Sequence, residues 1–148
     1  MTPGTLIHDI EFRFRDGEKG KKLIAILNDG EDGYYLFVKM TSNPAFKSTQ
    51  YGCHPNDRYP NFFCPVGTCC LKENTWIQLD QFFEADTAEM LSKHFAGKMN
   101  RIGILPDKIL RELLDCALAS DDITPTQVTI VENTLRSLSE MPAPPTHN

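Results

Sequence analysis

The sequence predicts one mainly-β domain, a small antiparallel barrel followed by C-terminal helices, on three observations. Short apolar segments recur between acidic glycine turns through the first half of the chain. The hydrophobic period then changes from two to helical in the last third. A chain of 148 residues, 41% of them hydrophobic, is also long enough to bury one core without staples. The expected division is a barrel over 1–85, a helical part over 86–140 and a disordered tail over 141–148.

The first strand is expected over Thr5 to Phe14, the second over Leu23 to Leu27 and the third over Tyr34 to Met40, each rich in β-branched, aromatic or Leu residues. Asp16-Gly17 separates the first two strands, and Asp29-Gly30 through Asp32-Gly33 separates the next two. Asn43 to Asn61 is dense in Pro, Asn, Ser and Gly and predicts a long surface loop, a length usually kept for function or disorder. Phe62 to Cys64 and Cys69 to Leu71 are expected as short strands around Pro65-Val66-Gly67, and Thr75 to Leu79 alternates as a barrel strand does. Trp76 is expected in the core or an interface rather than as a base-stacking platform, because large aromatics dominate buried area.

Asp86 with Glu89 three residues on marks a helix start, and Gly97 is placed to end it. Pro106 opens a second helix, in which Ile109, Leu110, Leu113, Leu114, Ala117 and Leu118 form a broad apolar stripe. That stripe is wider than a small barrel needs and predicts packing on the barrel or on a second subunit, hence a homodimer. Thr124-Pro125-Thr126-Gln127 is a capping box with Pro at the first helical position. The tail Pro142 to Asn148 has too little apolar content to order itself.

No apolar run approaches the roughly 18 to 20 residues of a membrane span and no basic leader is seen, so the expected location is cytoplasmic, with no membrane partner. In that setting the five cysteines, Cys53, Cys64, Cys69, Cys70 and Cys116, are expected as free thiols. Neither Cys-x-x-Cys nor His-x3–5-His spacing is present, so no metal and no cofactor are expected. A net charge of -5 argues against nonspecific coating of nucleic acid, yet Arg13, Arg15, Lys19, Lys21 and Lys22 make a local basic cluster.

Four features occur in a telling order. Gly4 precedes the first strand, Phe12 and Phe14 precede Asp16-Gly17, Lys22 opens the strand Leu23-Ile24-Ala25-Ile26-Leu27, and the third strand closes on Thr41-Ser42. In this order the chain resembles the MazF/PemK-like toxin family over roughly residues 1–85, with Ile102 to Leu105 similar to the family's link into its terminal helix. The resemblance implies an SH3-like barrel, a homodimer, a cognate antitoxin partner and metal-independent endoribonuclease activity on single-stranded RNA. The family usually has Arg followed by Pro where this chain has Lys22 and Leu23. A guanidinium grips two phosphate oxygens at once, whereas an ammonium is a point charge with a more movable pKa.

Such cleavage needs a 2′-hydroxyl activated to attack phosphorus, positive charge on the phosphorane oxygens and a proton for the departing 5′ oxygen. Lys22 is the expected source of charge, and Thr41 and Ser42 of hydrogen bonds to the phosphate. His54 is preferred to His8 as the base, because a flexible loop would bring it over bound RNA. Arg13, Arg15, Lys19 and Lys21 are the expected RNA-binding residues. An adjacent Cys53-His54 pair is a poor dyad, since neighbours on an extended segment point to opposite faces. The rival expectation is a noncatalytic barrel that binds a protein or nucleic acid through the 43–61 loop.

Overall fold

A computed structural model describes residues 1–140, so the expected disordered tail at 141–148 lies outside the described residues. Eight strands and three helices alternate as β1 (Thr5–Arg13), β2 (Lys19–Ile26), β3 (Tyr34–Thr41), β4 (Gly52–His54), β5 (Asn61–Cys64), β6 (Thr75–Gln78), β7 (Phe83–Asp86), α1 (Thr87–Phe95), β8 (Met99–Ile104), α2 (Asp107–Leu118) and α3 (Pro125–Glu140). The fold is mainly β and antiparallel with C-terminal helices, as the sequence predicts. The sheet is open rather than a closed barrel: its order is β4-β5-β6-β3-β2-β1-β8, with β7 added alongside β3. Its end strands β4 and β8 do not pair with each other, and β3 shares its far edge between two short strands, β7 along residues 34–37 and β6 along 40–41.

Both faces of the central hairpin are buried. Ala25, Leu27, Leu36, Val38 and Met40 pack with Leu110, Leu113, Leu114, Ile130 and Val131 of α2 and α3. The alternate residues Ile24, Ile26, Tyr35 and Phe37 pack with Phe12, Met90 of α1 and Met99 of β8. Two-sided burial explains why Leu23 to Leu27 and Tyr34 to Val38 are continuous apolar runs in the sequence rather than alternating ones. Trp76 is 2% exposed, and its indole N–H donates to the Ser48 carbonyl at 2.8 Å. The α2 stripe is spent within the chain, so the width that predicted a second subunit is accounted for by α3 and the sheet.

Local signals act where expected. Asp86 accepts from the Glu89 N–H at 3.1 Å to cap α1, and Thr124 and Gln127 exchange reciprocal hydrogen bonds at 3.2 and 3.0 Å to start α3. In the β2–β3 loop, the buried Asn28 amide accepts from the Leu36 N–H at 2.9 Å and donates to the Tyr34 carbonyl at 3.0 Å. Gly30, in the same loop, has φ +75°, and a Cβ there would stand 2.6 Å from the Tyr35 ring. Three strands arise outside the expected set, and one expected strand, Cys69 to Leu71, is a turn closed by the Leu71 N–H on the Thr68 carbonyl. β4, β7 and β8 are short or largely polar edge strands, which carry no apolar alternation to read.

The cysteines depart most from expectation. Cys53 of β4 and Cys116 of α2 form a disulfide across 63 residues of sequence, where the sequence predicts free thiols. Among the described residues, no helix is long and apolar enough to cross a membrane. Cys64 is buried, and burial pushes its thiol up to about 12; Cys70 is half-buried and raised to about 11, chiefly by burial; Cys69 is exposed. Reduction, or a Cys53→Ser/Cys116→Ser double variant, is expected to lower the unfolding free energy by about 2–4 kcal/mol, read as an earlier urea midpoint. An unchanged midpoint would show that the bridge contributes nothing. In the native protein, iodoacetamide should modify Cys69 first and Cys64 last, by peptide mass mapping, because alkylation needs an accessible thiolate.

Candidate functional site

The site is built at the open mouth of the β2–β3 hairpin. The ladder pairs Leu23 with Met40, so the next cross-strand position sets Lys22 opposite Thr41. Both line a cleft of about 770 Å³ together with His8, Lys21, Ser42, Cys70, Lys72 and Thr75. The charge of this lining is strongly positive, with Glu73 as its only carboxylate. Hydroxyls from Thr41 and Ser42 supply neutral donors, whereas the Thr75 hydroxyl donates to the Glu73 carbonyl at 2.9 Å. The Thr41 hydroxyl oxygen accepts from the Asn43 N–H at 3.1 Å, which leaves its own proton free to donate.

Lys22 owes its state to the strand beside it. On β1 the residue opposite is Asp9, the natural partner for an ammonium. Asp9 is buried and already engaged: it accepts from Lys93 Nζ at 2.9 Å and from the Glu11 N–H at 2.9 Å. A β-bulge between Asp9 and Phe12 turns the chain so that this local bond forms. Among the described residues, no carboxylate forms an ion pair with Lys22. Its pKa is lowered from the ordinary 10.5, first by burial and then by the charges of Lys39 and Lys47. Neither Lys39 nor Lys47 lines the cleft, but both add to the positive charge felt by Lys22.

Strand alternation divides the cleft. His8 stands opposite Leu23, and Lys22 is one residue along, so His8 and Lys22 leave the pleat on opposite faces and meet the cleft from its two sides. His54 is not brought to the cleft lining. It is fixed in β4 opposite Asn61, its Nε2 is hydrogen-bonded to the Gln50 carbonyl, and the disulfide of the preceding residue holds the strand on α2. The expected flexible loop is thus a tethered one, and His8 is the histidine that lines the cleft.

The remaining basic residues separate. Lys21 lines the main cleft, whereas Arg15 lies with Lys39 in a smaller cavity of about 310 Å³ walled by Phe12, Phe14 and Phe83. With the Gln81 amide oxygen turned toward it, Arg15 donates from Nε at 2.8 Å and from Nη2 at 3.1 Å. Arg13 and Lys19 face each other across the exposed tip of the β1–β2 hairpin, away from the mouth. Sequence reasoning missed Lys39, Lys47 and Lys72. Lys39 had left a trace, as the single charge in the apolar run Tyr34 to Met40.

The arrangement can bind an anion. Unneutralised ammonium groups and free hydroxyl donors at a strand end suit phosphate oxygens, and a lysine of lowered pKa gives up a proton more readily than an ordinary one. Among the described residues, no group of three or more His, Cys, Asp and Glu side chains could hold a metal ion. Comparison of the chain with protein-family models and with curated proteins gives no match.

Proposed function

We propose that this protein is a metal-independent endoribonuclease of the MazF/PemK-like, SH3-like type, cleaving single-stranded RNA at the Lys22–Thr41 mouth. One observation carries the reading: Lys22 stands opposite a hydroxyl donor with no carboxylate to neutralise it, because Asp9 belongs to Lys93. Lys22 stabilises the charge that develops on the phosphorane oxygens and, with its lowered pKa, protonates the departing 5′ oxygen. Thr41 and Ser42 hold the phosphate. His8 takes the place of His54 as the base that activates the 2′-hydroxyl, reaching the phosphate from the other side of the cleft. The antitoxin partner and the homodimer belong to this reading through the family resemblance.

A second reading, a noncatalytic nucleic-acid- or protein-binding module, is favoured by the placement of His8 and Lys22 on opposite faces and by Lys22 itself, where the family has Arg. Incubation of the purified protein with a long single-stranded RNA in EDTA separates the two. The expected outcome is cleavage leaving a 2′,3′-cyclic phosphate, reduced about a hundredfold or more in Lys22→Ala. Lys22→Arg should keep or raise the activity, since its fork suits phosphate. Undiminished cleavage in Lys22→Ala would move the site elsewhere. No cleavage by the wild type or by Lys22→Arg would leave the binding module as the better account.

The pH profile gives an independent check. The active Lys22 is the protonated form, and its pKa lies below 10.5, so activity should fall on the alkaline side before an ordinary lysine would titrate. Lys22→Arg should carry that limb upward, because a guanidinium stays charged throughout. An alkaline limb that is identical in both proteins would assign it to another group.

A further inference from the structure

Beyond the cleft, the β3–β4 segment holds an arrangement that folding does not explain. Phe46 is 64% exposed and has φ +60°. It occupies the third position of a turn closed by the Lys47 N–H on the Pro44 carbonyl, where the chain favours glycine. A bulky residue in the left-handed region costs about 1–3 kcal/mol, and such strain gathers where a side chain must be displayed. Leaving a phenyl ring in water adds to that cost rather than offsetting it.

What surrounds the ring identifies its ligand. The Arg58 guanidinium lies 4.5 Å from the Phe46 ring centre and 5.6 Å from that of Tyr59, and Lys47 Nζ lies 5.4 Å from Tyr59. The two rings meet edge to face at 6.3 Å. The acid of this segment, Asp57, is turned inward: it accepts from the Ser48 N–H and hydroxyl and from the Asn61 amide, which together outweigh burial and lower its pKa. Two cations and two rings are thereby displayed with the acid withdrawn. The turn leads straight from the hairpin mouth: the Asn43 N–H donates to the Thr41 hydroxyl at 3.1 Å, and Lys47 Nζ donates back to the Asn43 carbonyl at 3.2 Å.

We propose that Phe46, Tyr59, Arg58 and Lys47 form a stacking platform for the bases of a single-stranded nucleic acid whose backbone continues to Lys22 and Thr41. Aromatic faces accept any base, and cations between them track the phosphates, which is the chemistry of single-strand recognition rather than of a protein groove. The assignment rests on the ribonuclease reading only for the strand being RNA.

Binding is tested apart from cleavage with a fluorescein-labelled, mixed-sequence 2′-O-methyl oligoribonucleotide of about ten residues, which cannot be cut by 2′-hydroxyl attack. Fluorescence anisotropy should show binding that weakens about tenfold or more in Phe46→Gly, is retained in Phe46→Trp and has a shallower salt dependence in Arg58→Gln, because the other cations remain. Because glycine relieves the positive φ, Phe46→Gly should melt no lower than the wild type, which a structural role for the ring would not allow. Equal affinity of wild type and Phe46→Gly would overturn the platform, as would absence of binding by the wild type. Cleavage of ordinary RNA in EDTA would stand or fall separately.

Discussion

Burial of the β2–β3 hairpin on both faces is the constraint on which the rest of this structure depends. With Ile24, Ile26, Tyr35 and Phe37 inside one layer and Ala25, Leu27, Leu36 and Val38 inside the other, neither face of the hairpin can meet solvent. Helices α2 and α3 must cover one side, and α1 with β8 the other. Chemistry can then be displayed only at the ends of these strands. Thr41 ends β3, and Lys22 lies where β2, still paired with β1, runs past its last partner on β3.

The polar interior sharpens that placement. Asp9 is the one carboxylate in register with Lys22, yet Lys93 reaches it from α1. Breaking a buried pair is costly, so Asp9 is not free to change partners. The outcome is a lysine held among Lys39 and Lys47, where repulsion and burial both favour the neutral form. An anion arriving at this mouth relieves the repulsion. The electrostatics thus favour occupancy without requiring any movement of the strands.

Much of the fold is legible in the sequence. The three long strands, the Asp86 cap, the Thr124–Gln127 capping box and the stripe on α2 each follow from local chemistry that acts within a few residues. Lys22, Thr41 and Ser42 are legible for the same reason, since they flank recognisable apolar runs, although β2 extends back past Lys22 to Lys19. What the sequence does not carry is long-range: the claim of Lys93 on Asp9, 84 residues apart, and the bond between Cys53 and Cys116. Openness of the sheet is equally hidden, because it depends on whether the distant end strands β4 and β8 meet. His54 illustrates the cost. In a free loop it would sweep over the mouth, and only the tertiary tether shows that it does not.

That tether has a thermodynamic side. The segment between β3 and β5 is fastened by the Trp76 indole at Ser48, by the Tyr51 hydroxyl on Glu112 of α2 and by the disulfide at Cys53. A chain of this composition would otherwise lose considerable conformational freedom on gripping a ligand, and that loss would be subtracted from affinity. Here the freedom is surrendered once, when the protein folds. A ligand of this surface would therefore meet a segment already ordered by folding, with little of the binding energy diverted to arranging it.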